Sequence, residues 1–275
     1  MTLGAAACID VLLPVYALAD RAQLQRAIAS VYAQHRPAQN LWVLINGGHD
    51  ADRRQLSAFV FSQAPLSHST ALQVVCLEHA GITAALNQGM ALSRADWLAR
   101  LDTDDQMLPE RLLLMMEHLR QCHAAQLPVP DVIGSAVALL DSQGERSTGL
   151  VFSRPCGDRA IRRYLCHGNP FMHPSIMMRR TLLVEVGGYR PIPQAEDLDL
   201  WLRLSRINGV HFANLKQALT LYTLSMGSQS HQRNSFLYSA LCRLRHCESP
   251  VRALLFAPKI LFDLARYLQR LILWR

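Results

Sequence analysis

Short apolar blocks alternate with helically spaced stretches over the first hundred positions. Residues 9–15, 41–45, 72–77 and 97–101 are mainly apolar runs of strand length. Between them, 20–34 places Leu24, Ile28, Val31 and Tyr32 on one helical face, with Asp20 as the N-cap. Stretches 52–63 and 81–93 show the same period, and Asn46-Gly47-Gly48 stops the second strand. Near-continuous apolar strands separated by helices predict a parallel sheet covered on both faces. Right-handed crossovers then give a doubly wound α/β core.

The pattern continues less regularly. A helix is expected from Pro109 to about Cys122, then a loop with Pro128 and Pro130, and a strand over 132–140. Asp141-Ser142-Gln143-Gly144 signals a turn. A strand over 171–178 is expected to lead into a short helix and Gly187-Gly188-Tyr189, followed by a helix over 198–206. From about Ser230 onward the chain reads as helices, with Pro258 expected to kink or divide the last one. Two parts follow: an α/β domain over 1–225 and a helical, basic amphipathic segment over 226–275.

Composition narrows the class. Half of the 275 residues are hydrophobic, enough for a sizeable core, and disorder is not expected. The seven cysteines are odd in number and lack C-x-x-C spacing, so reduced thiols in a cytoplasmic protein are expected. The first seven residues lack the basic start and apolar run of a signal peptide. No run of about 18 apolar residues predicts a spanning helix.

The net charge of +7 is uneven: from Trp201 onward there are eleven Lys and Arg against two acids, Glu248 and Asp263. In 251–274, Arg252, Lys259, Arg266 and Arg270 alternate with bulky apolar residues and Trp274. That mixture suits a helix lying in an anionic membrane interface, the alternative being a helix packed on the core or on a second subunit. No nucleic-acid motif accompanies the basic charge, and no nucleic-acid partner is expected.

The candidate chemistry starts at the end of the fourth strand. Trp97-Leu98-Ala99-Arg100-Leu101 runs directly into Asp102-Thr103-Asp104-Asp105, three carboxylates within four residues. Like charges so close repel one another, and a cation between them relieves the repulsion. Mg²⁺ and Mn²⁺ suit carboxylate oxygens combined with substrate phosphates. Ligands of open α/β sheets bind at the carboxyl ends of strands. A metal holding a diphosphate is therefore expected there. A helix-capping loop ahead of Pro109 is the plainer reading, but capping needs one carboxylate and not three.

Together these pieces resemble the family 2 glycosyltransferases of GT-A fold, over roughly residues 8–225. The resemblance rests on an ordered set: Asp10-Val11-Leu12-Leu13-Pro14-Val15-Tyr16, Gly81 to Gly89, Asp102-Thr103-Asp104-Asp105, His173-Pro174, Arg179, Gly187-Gly188-Tyr189 and Ala195 to Trp201. It implies an inverting enzyme that moves a sugar from a nucleotide donor, a UDP-sugar being favoured. The acceptor would be a saccharide or lipid-linked saccharide in surface-polysaccharide or lipopolysaccharide assembly. The implied location is cytoplasmic, peripheral on the inner face of the cell membrane through 251–274.

The resemblance also assigns roles. Asp104 would hold the metal, Asp102 would reach the metal, ribose or sugar, and Asp105 is a third metal candidate. Pro14, Val15, Tyr16, Asn46 and Asn87 would complete the donor side. Asp197 would be the base that deprotonates the acceptor hydroxyl, with Glu196 orienting the acceptor or assisting. The plainer reading of Glu196-Asp197 is N-terminal helix charge. Asp199 is expected to be structural, since residues two apart on a helix face different ways. His173 and Trp201 fall on the acceptor side, either in contact with sugar or as packing residues. Tyr16 is either part of the nucleobase wall or a core aromatic. His231 and Arg233 either reach the diphosphate or lie in a solvated loop.

One departure concerns the donor. Ile45 and Asn46 stand where the family usually carries aspartates near the base or ribose, which bears on nucleobase preference. Two rivals are kept. A nucleotidyltransferase would need a basic phosphate-gripping loop near the first strand, where only Arg21 and Arg26 lie. A non-catalytic binding or assembly subunit draws support from Ile45 and Asn46, but has no use for Asp197.

Overall fold

The computed structural model of the protein describes residues 7–78, 81–224 and 234–273, with side chains to 269. The first half alternates as its pattern requires: β1 Ile9–Tyr16, α1 Arg21–Tyr32, β2 Asn40–Asn46, α2 Asp50–Ser62, β3 Ala71–Cys76, α3 Ile82–Leu92 and β4 Trp97–Arg100. Asp20 caps α1 by accepting the Gln23 amide. Next come β5 Gln106–Met107, α4 Arg111–Ala124, β6 Val132–Leu140, β7 Ser147–Phe152 and α5 Asp158–Tyr164. A 3-10 turn at His173–Ser175 leads to β8 Met177–Arg179, α6 Arg180–Glu185, α7 Glu196–Leu204 and β9 Phe212–Thr223. Helices α8 Ser235–Arg245 and α9 Pro250–Leu273 follow.

The strands form one sheet in the order β3-β2-β1-β4-β8-β6-β9-β5, with β7 attached to β6. Pairings among β1 to β4 are parallel. Strand β8 pairs antiparallel with both β4 and β6, so the sheet changes direction beside the acidic run. Strand periodicity divides the core between two faces. On one face Val11, Leu13 and Val15 of β1 pack with Leu24, Ile28, Leu56 and Met115 of the helices. On the other, Leu12 and Leu44 pack with Leu86, Trp201, Ala240 and Phe256.

Two sequence expectations are corrected. The stretch 171–178 is not a continuous strand, because Pro174 has no amide to donate and the chain turns at His173–Ser175, leaving three residues for β8. Pro258 does not divide the last helix: α9 runs through it, anchored by buried Phe256 and Ile260.

The C-terminal helices are tied to the domain by charge as well as packing. Asp199, fully buried on α7, accepts from Arg203 Nε at 2.7 Å and from His246 Nε2 at 2.9 Å. Arg203 also donates to the carbonyls of Val186 and Gly188. The ligand-type atoms of Asp199, Cys242 and His246 lie within 4.8 Å of one another. Asp199 is already saturated by the arginine and histidine, and burial pushes the Cys242 thiol up to about 12. The cluster is therefore a structural knot. Among the described residues no helix is long and apolar enough to cross a membrane.

Candidate active site

The carboxyl ends of β1, β2 and β4 open into a cavity of about 990 Å³, whose opposite wall is built by the 3-10 turn and the start of α7. On the first wall, Thr103 Oγ1 donates to the Pro14 carbonyl and holds the acidic turn against the end of β1. Asp102 receives Arg100 Nη2 at 2.7 Å, and both line the cavity. Asp104 lines it too, and its carboxyl is pushed up to about 6 by burial and by the negative charge of Asp102. Asp105 does not line the cavity. Its Oδ1 accepts the Thr223 amide at 2.8 Å, pinning the turn to the end of β9, and its Oδ2 is buried without a partner. Beneath it, fully buried Arg111 donates to the carbonyls of Arg100 and Ile176, and burial pushes its guanidinium down to about 9.

Two carboxylates of the acidic turn, Asp102 and Asp104, thus face the cavity, and only Asp102 is ion-paired within the protein. That donor set fits a divalent ion such as Mg²⁺ or Mn²⁺, which takes one or two carboxylates and completes its shell with water and phosphate.

The rest of this wall is shaped by backbone bonds. Asn46 donates to the Val15 carbonyl and accepts the Gly81 amide, joining the end of β1 to the start of α3. Tyr16 is about half exposed, with its ring against Gly47, so it is a wall residue and not a core aromatic. Gly47 has φ +70°, and a Cβ there would stand 2.1 Å from the Tyr16 ring. Val15 is buried in the core and is not part of the cavity lining. Asn87 is also absent from the lining: its carboxamide clamps both the amide and the carbonyl of Tyr189 at 2.8 Å. Gly188 leaves room for that clamp, since a Cβ there would stand 2.4 Å from Asn87 Oδ1.

On the opposite wall, Asp197 lies near the start of α7. Its Oδ2 accepts from Asn169, its Oδ1 accepts the Leu198 amide at 2.6 Å, and His173 Nδ1 stands 3.8 Å from Oδ2. Burial raises its proton affinity, and the hydrogen bonds from Asn169 and Leu198 oppose the rise. Glu196 is raised by burial first and then by the charge of Asp197. Burial and the nearby Arg100 push His173 well below its usual range, so its ring is neutral at neutral pH. Burial raises the Tyr189 hydroxyl, which therefore stays protonated and lies 3.0 Å from His173 Nε2. If that phenol donates to Nε2, His173 carries its proton on Nδ1, facing Asp197. Trp201 is fully buried and packs beneath Phe171 and His173, 5.0 and 5.9 Å between ring centroids. It supports the floor and lines no part of the cavity.

Arg100, Asn169 and Tyr189 are the residues that sequence reasoning left without roles. Arg100 carried the clearest signal, a charge inside an apolar strand. His231, Arg233 and Trp274 lie outside the described residues.

A family model described as glycosyl transferase family 2 matches residues 10–187. The chain is 32% identical over 161 residues to a putative glycosyltransferase, EpsE, of Bacillus subtilis, covering 58% of this chain and 53% of that protein. It is 27% identical over 178 residues to the O-antigen biosynthesis glycosyltransferase WbnJ of Escherichia coli, covering 63% and 66%. The chain thus spans about half of the first relative and about two thirds of the second. Among solved structures, S. aureus TarS 1–349 in complex with UDP-GlcNAc superposes with a TM-score of 0.65 at 15% identity, covering 92% of this chain and 71% of that one. The mannosyltransferase PcManGT of Pyrobaculum calidifontis, in complex with GDP-Man and Mn²⁺, gives 0.65 at 14%, covering 97% and 74%. At these identities the structural likeness establishes the fold alone.

Proposed function

The chain belongs to glycosyltransferase family 2, and on that premise we propose that it transfers a sugar from a UDP-sugar to a hydroxyl of a saccharide or lipid-linked acceptor, with inversion, in surface-polysaccharide assembly. One observation carries the reading: Asp102 and Asp104 line the same cavity as Asp197 and Glu196. A donor held on one wall presents its anomeric carbon to a base on the other. The acceptor oxygen attacks that carbon as its proton passes to Asp197, and the bond to the diphosphate breaks on the far side. Attack opposite the leaving group inverts the centre.

The other groups prepare this step. Asn169 and the Leu198 amide fix the Asp197 carboxylate, leaving its remaining lone pairs for the acceptor proton. Glu196, whose proton affinity is raised, is suited to donate a hydrogen bond to an acceptor hydroxyl. Asp104 and Asp102 would hold Mn²⁺ or Mg²⁺, which when bound offsets the charge developing on the diphosphate. The Asn46 carboxamide contributes wall shape beside the nucleotide.

The reading includes peripheral attachment to the inner face of the cell membrane. On α9, Val251, Leu254, Leu255, Leu261, Phe262 and Leu268 form an exposed stripe at helical spacing, flanked by Arg252, Lys259 and Arg266. An apolar stripe with basic flanks suits an anionic bilayer surface.

Calorimetry with UDP-, GDP- and dTDP-sugars, with Mn²⁺ and then with EDTA, tests the reading. Metal-dependent binding of a UDP-sugar, lost in Asp104→Ala, is expected. Asp197→Asn is expected to bind the donor and transfer nothing. If no nucleotide binds, the catalytic reading fails and a non-catalytic role takes its place.

A further inference from the structure

The cavity has a second guanidinium that the proposed reaction does not use. Arg100 is committed to Asp102, but Arg154, on the same lining, pairs with no carboxylate among the described residues. It is held between the rings of Phe152 and Tyr164, 4.7 and 5.6 Å from its Cζ. Its Nη1 donates to the Tyr164 hydroxyl at 3.0 Å, while its Nε is buried without a partner. A guanidinium stacked on two rings is held ready to donate from its outer nitrogens to an oxyanion.

Its position places it on the side of the base. The Tyr164 ring packs against Gly168, where a Cβ would stand 2.8 Å away. The next residue, Asn169, holds Asp197. Arg154 also lies at the end of an unusual edge. All six residues of β7 are exposed, none is charged, and β7 pairs only with β6. Edge strands are normally blunted by charge or covered. Here Leu150 and Val151 are about 60% exposed, and Phe152 continues into the cavity beside Leu139 and Leu224.

A lone cation next to an uncharged apolar lip matches one chemical class, a phosphate ester joined directly to a hydrocarbon chain. We propose that Arg154 and the β7 edge form the acceptor subsite and bind a lipid-linked phosphate. The guanidinium takes the phosphate, and Phe152 and Leu224, with Leu150 on the same strand face as Phe152, take the start of the chain. This rests on the transferase reading and narrows its acceptor to the lipid-linked class.

Decyl phosphate, below its micellar concentration and in EDTA, is the probe, with decanol and inorganic phosphate alongside. Titration is followed calorimetrically on the full chain. The wild type should bind decyl phosphate about tenfold or more tightly than either fragment. Arg154→Gln should lose about tenfold or more, the worth of a charged hydrogen bond. Leu150→Asp, at an exposed position with no fold to disturb, should also weaken decyl phosphate. Arg154→Lys should fall between wild type and Arg154→Gln. Equal binding by Arg154→Gln overturns the proposal. So does decanol matching decyl phosphate, which marks chain adhesion alone, or inorganic phosphate matching it, which marks a free-anion site. A UDP-sugar titration on the same samples is read separately. Failure there refutes the donor reading, while the decyl phosphate series still decides the subsite.

Discussion

Replacing Asp199 by Asn removes the carboxylate that the buried Arg203 and His246 share, and which the half-exposed Arg190 approaches to 3.8 Å. Asp199, Arg203 and His246 are 0%, 9% and 2% exposed. The variant keeps the shape but leaves the Arg203 guanidinium without its carboxylate. Breaking a buried ion pair from one side costs about 3–5 kcal/mol. Arg203 keeps its bonds to the Val186 and Gly188 carbonyls, at 2.8 and 2.7 Å, so the lower end applies, about 3 kcal/mol. For a chain of this size that is a fall in Tm of about 6–12 °C.

The pH dependence has a definite sign. Burial would raise the Asp199 carboxyl, but hydrogen bonds from His246 and Arg203 outweigh it and hold the group below its usual value. A depressed folded value stabilises the protein above the unfolded pKa of about 4, and this contribution is lost as pH falls through the folded value. The gap between wild type and variant should be full at pH 7.5 and shrink below pH 4. Thermal melts followed by circular dichroism, with Arg203→Met and the double variant, complete a cycle. The double variant should be less destabilised than the two single effects added together, by about 1 kcal/mol or more. A Tm fall under about 2 °C, or strict additivity, refutes the argument from charge burial.

Asp104→Asn should raise the stability of the metal-free protein while abolishing metal-dependent donor binding. The carboxyl is raised to about 6 from 3.8, so its charge destabilises the fold increasingly through that interval and fully above it. Each unit is worth about 1.4 kcal/mol, and solvent at the cavity mouth screens part, leaving a gain of about 1–2 kcal/mol at pH 7.5 and none below pH 4 in metal-free melts. His173→Gln should lower kcat about tenfold or more while leaving the donor KM unchanged, because it alters the packing 3.8 Å from Asp197 Oδ2 without touching the donor wall. A changed donor KM with unchanged kcat would contradict that role. Gly47→Ala forces a left-handed conformation on a residue with a Cβ and pushes Tyr16 aside. Calorimetry should show nucleotide affinity reduced about two- to tenfold, the range of one aromatic contact. Leu254→Glu with Phe262→Glu should abolish flotation with phosphatidylglycerol vesicles, and unchanged flotation would remove α9 as the contact.

The first half of the fold was legible because its strands are buried on both faces. Leu41, Val43, Leu44 and Ile45 are all buried and leave an apolar block of strand length, and Asp20 marks a helix start by its own hydrogen bond. Strand β7 left no such trace, since Ser147 to Phe152 is exposed at every position and has no period to read. Strand β9 was hidden differently. Its middle, Lys216 and Gln217, is exposed, while Thr220 and Thr223 are buried, so polarity along it does not track depth. At the site, local runs such as Asp102 to Asp105 revealed that carboxylates cluster. They did not reveal that Asp105 turns inward to Thr223. Asn87 was misleading for the same reason: its partner, Tyr189, lies 102 positions away.

The exposure of β7 has a consequence for how such a chain can change over generations. Substitutions at fully exposed positions typically shift stability by less than about 0.5 kcal/mol. Asp102 and Asp104 enjoy no such freedom, because the turn that carries them is fastened to Arg100, to the Pro14 carbonyl and to the end of β9. If β7 meets the acceptor, mutation can explore new acceptors there at almost no risk to folding, while the apparatus for the donor stays fixed. One scaffold could then supply a series of descendants that differ in what they extend and agree in how they do it.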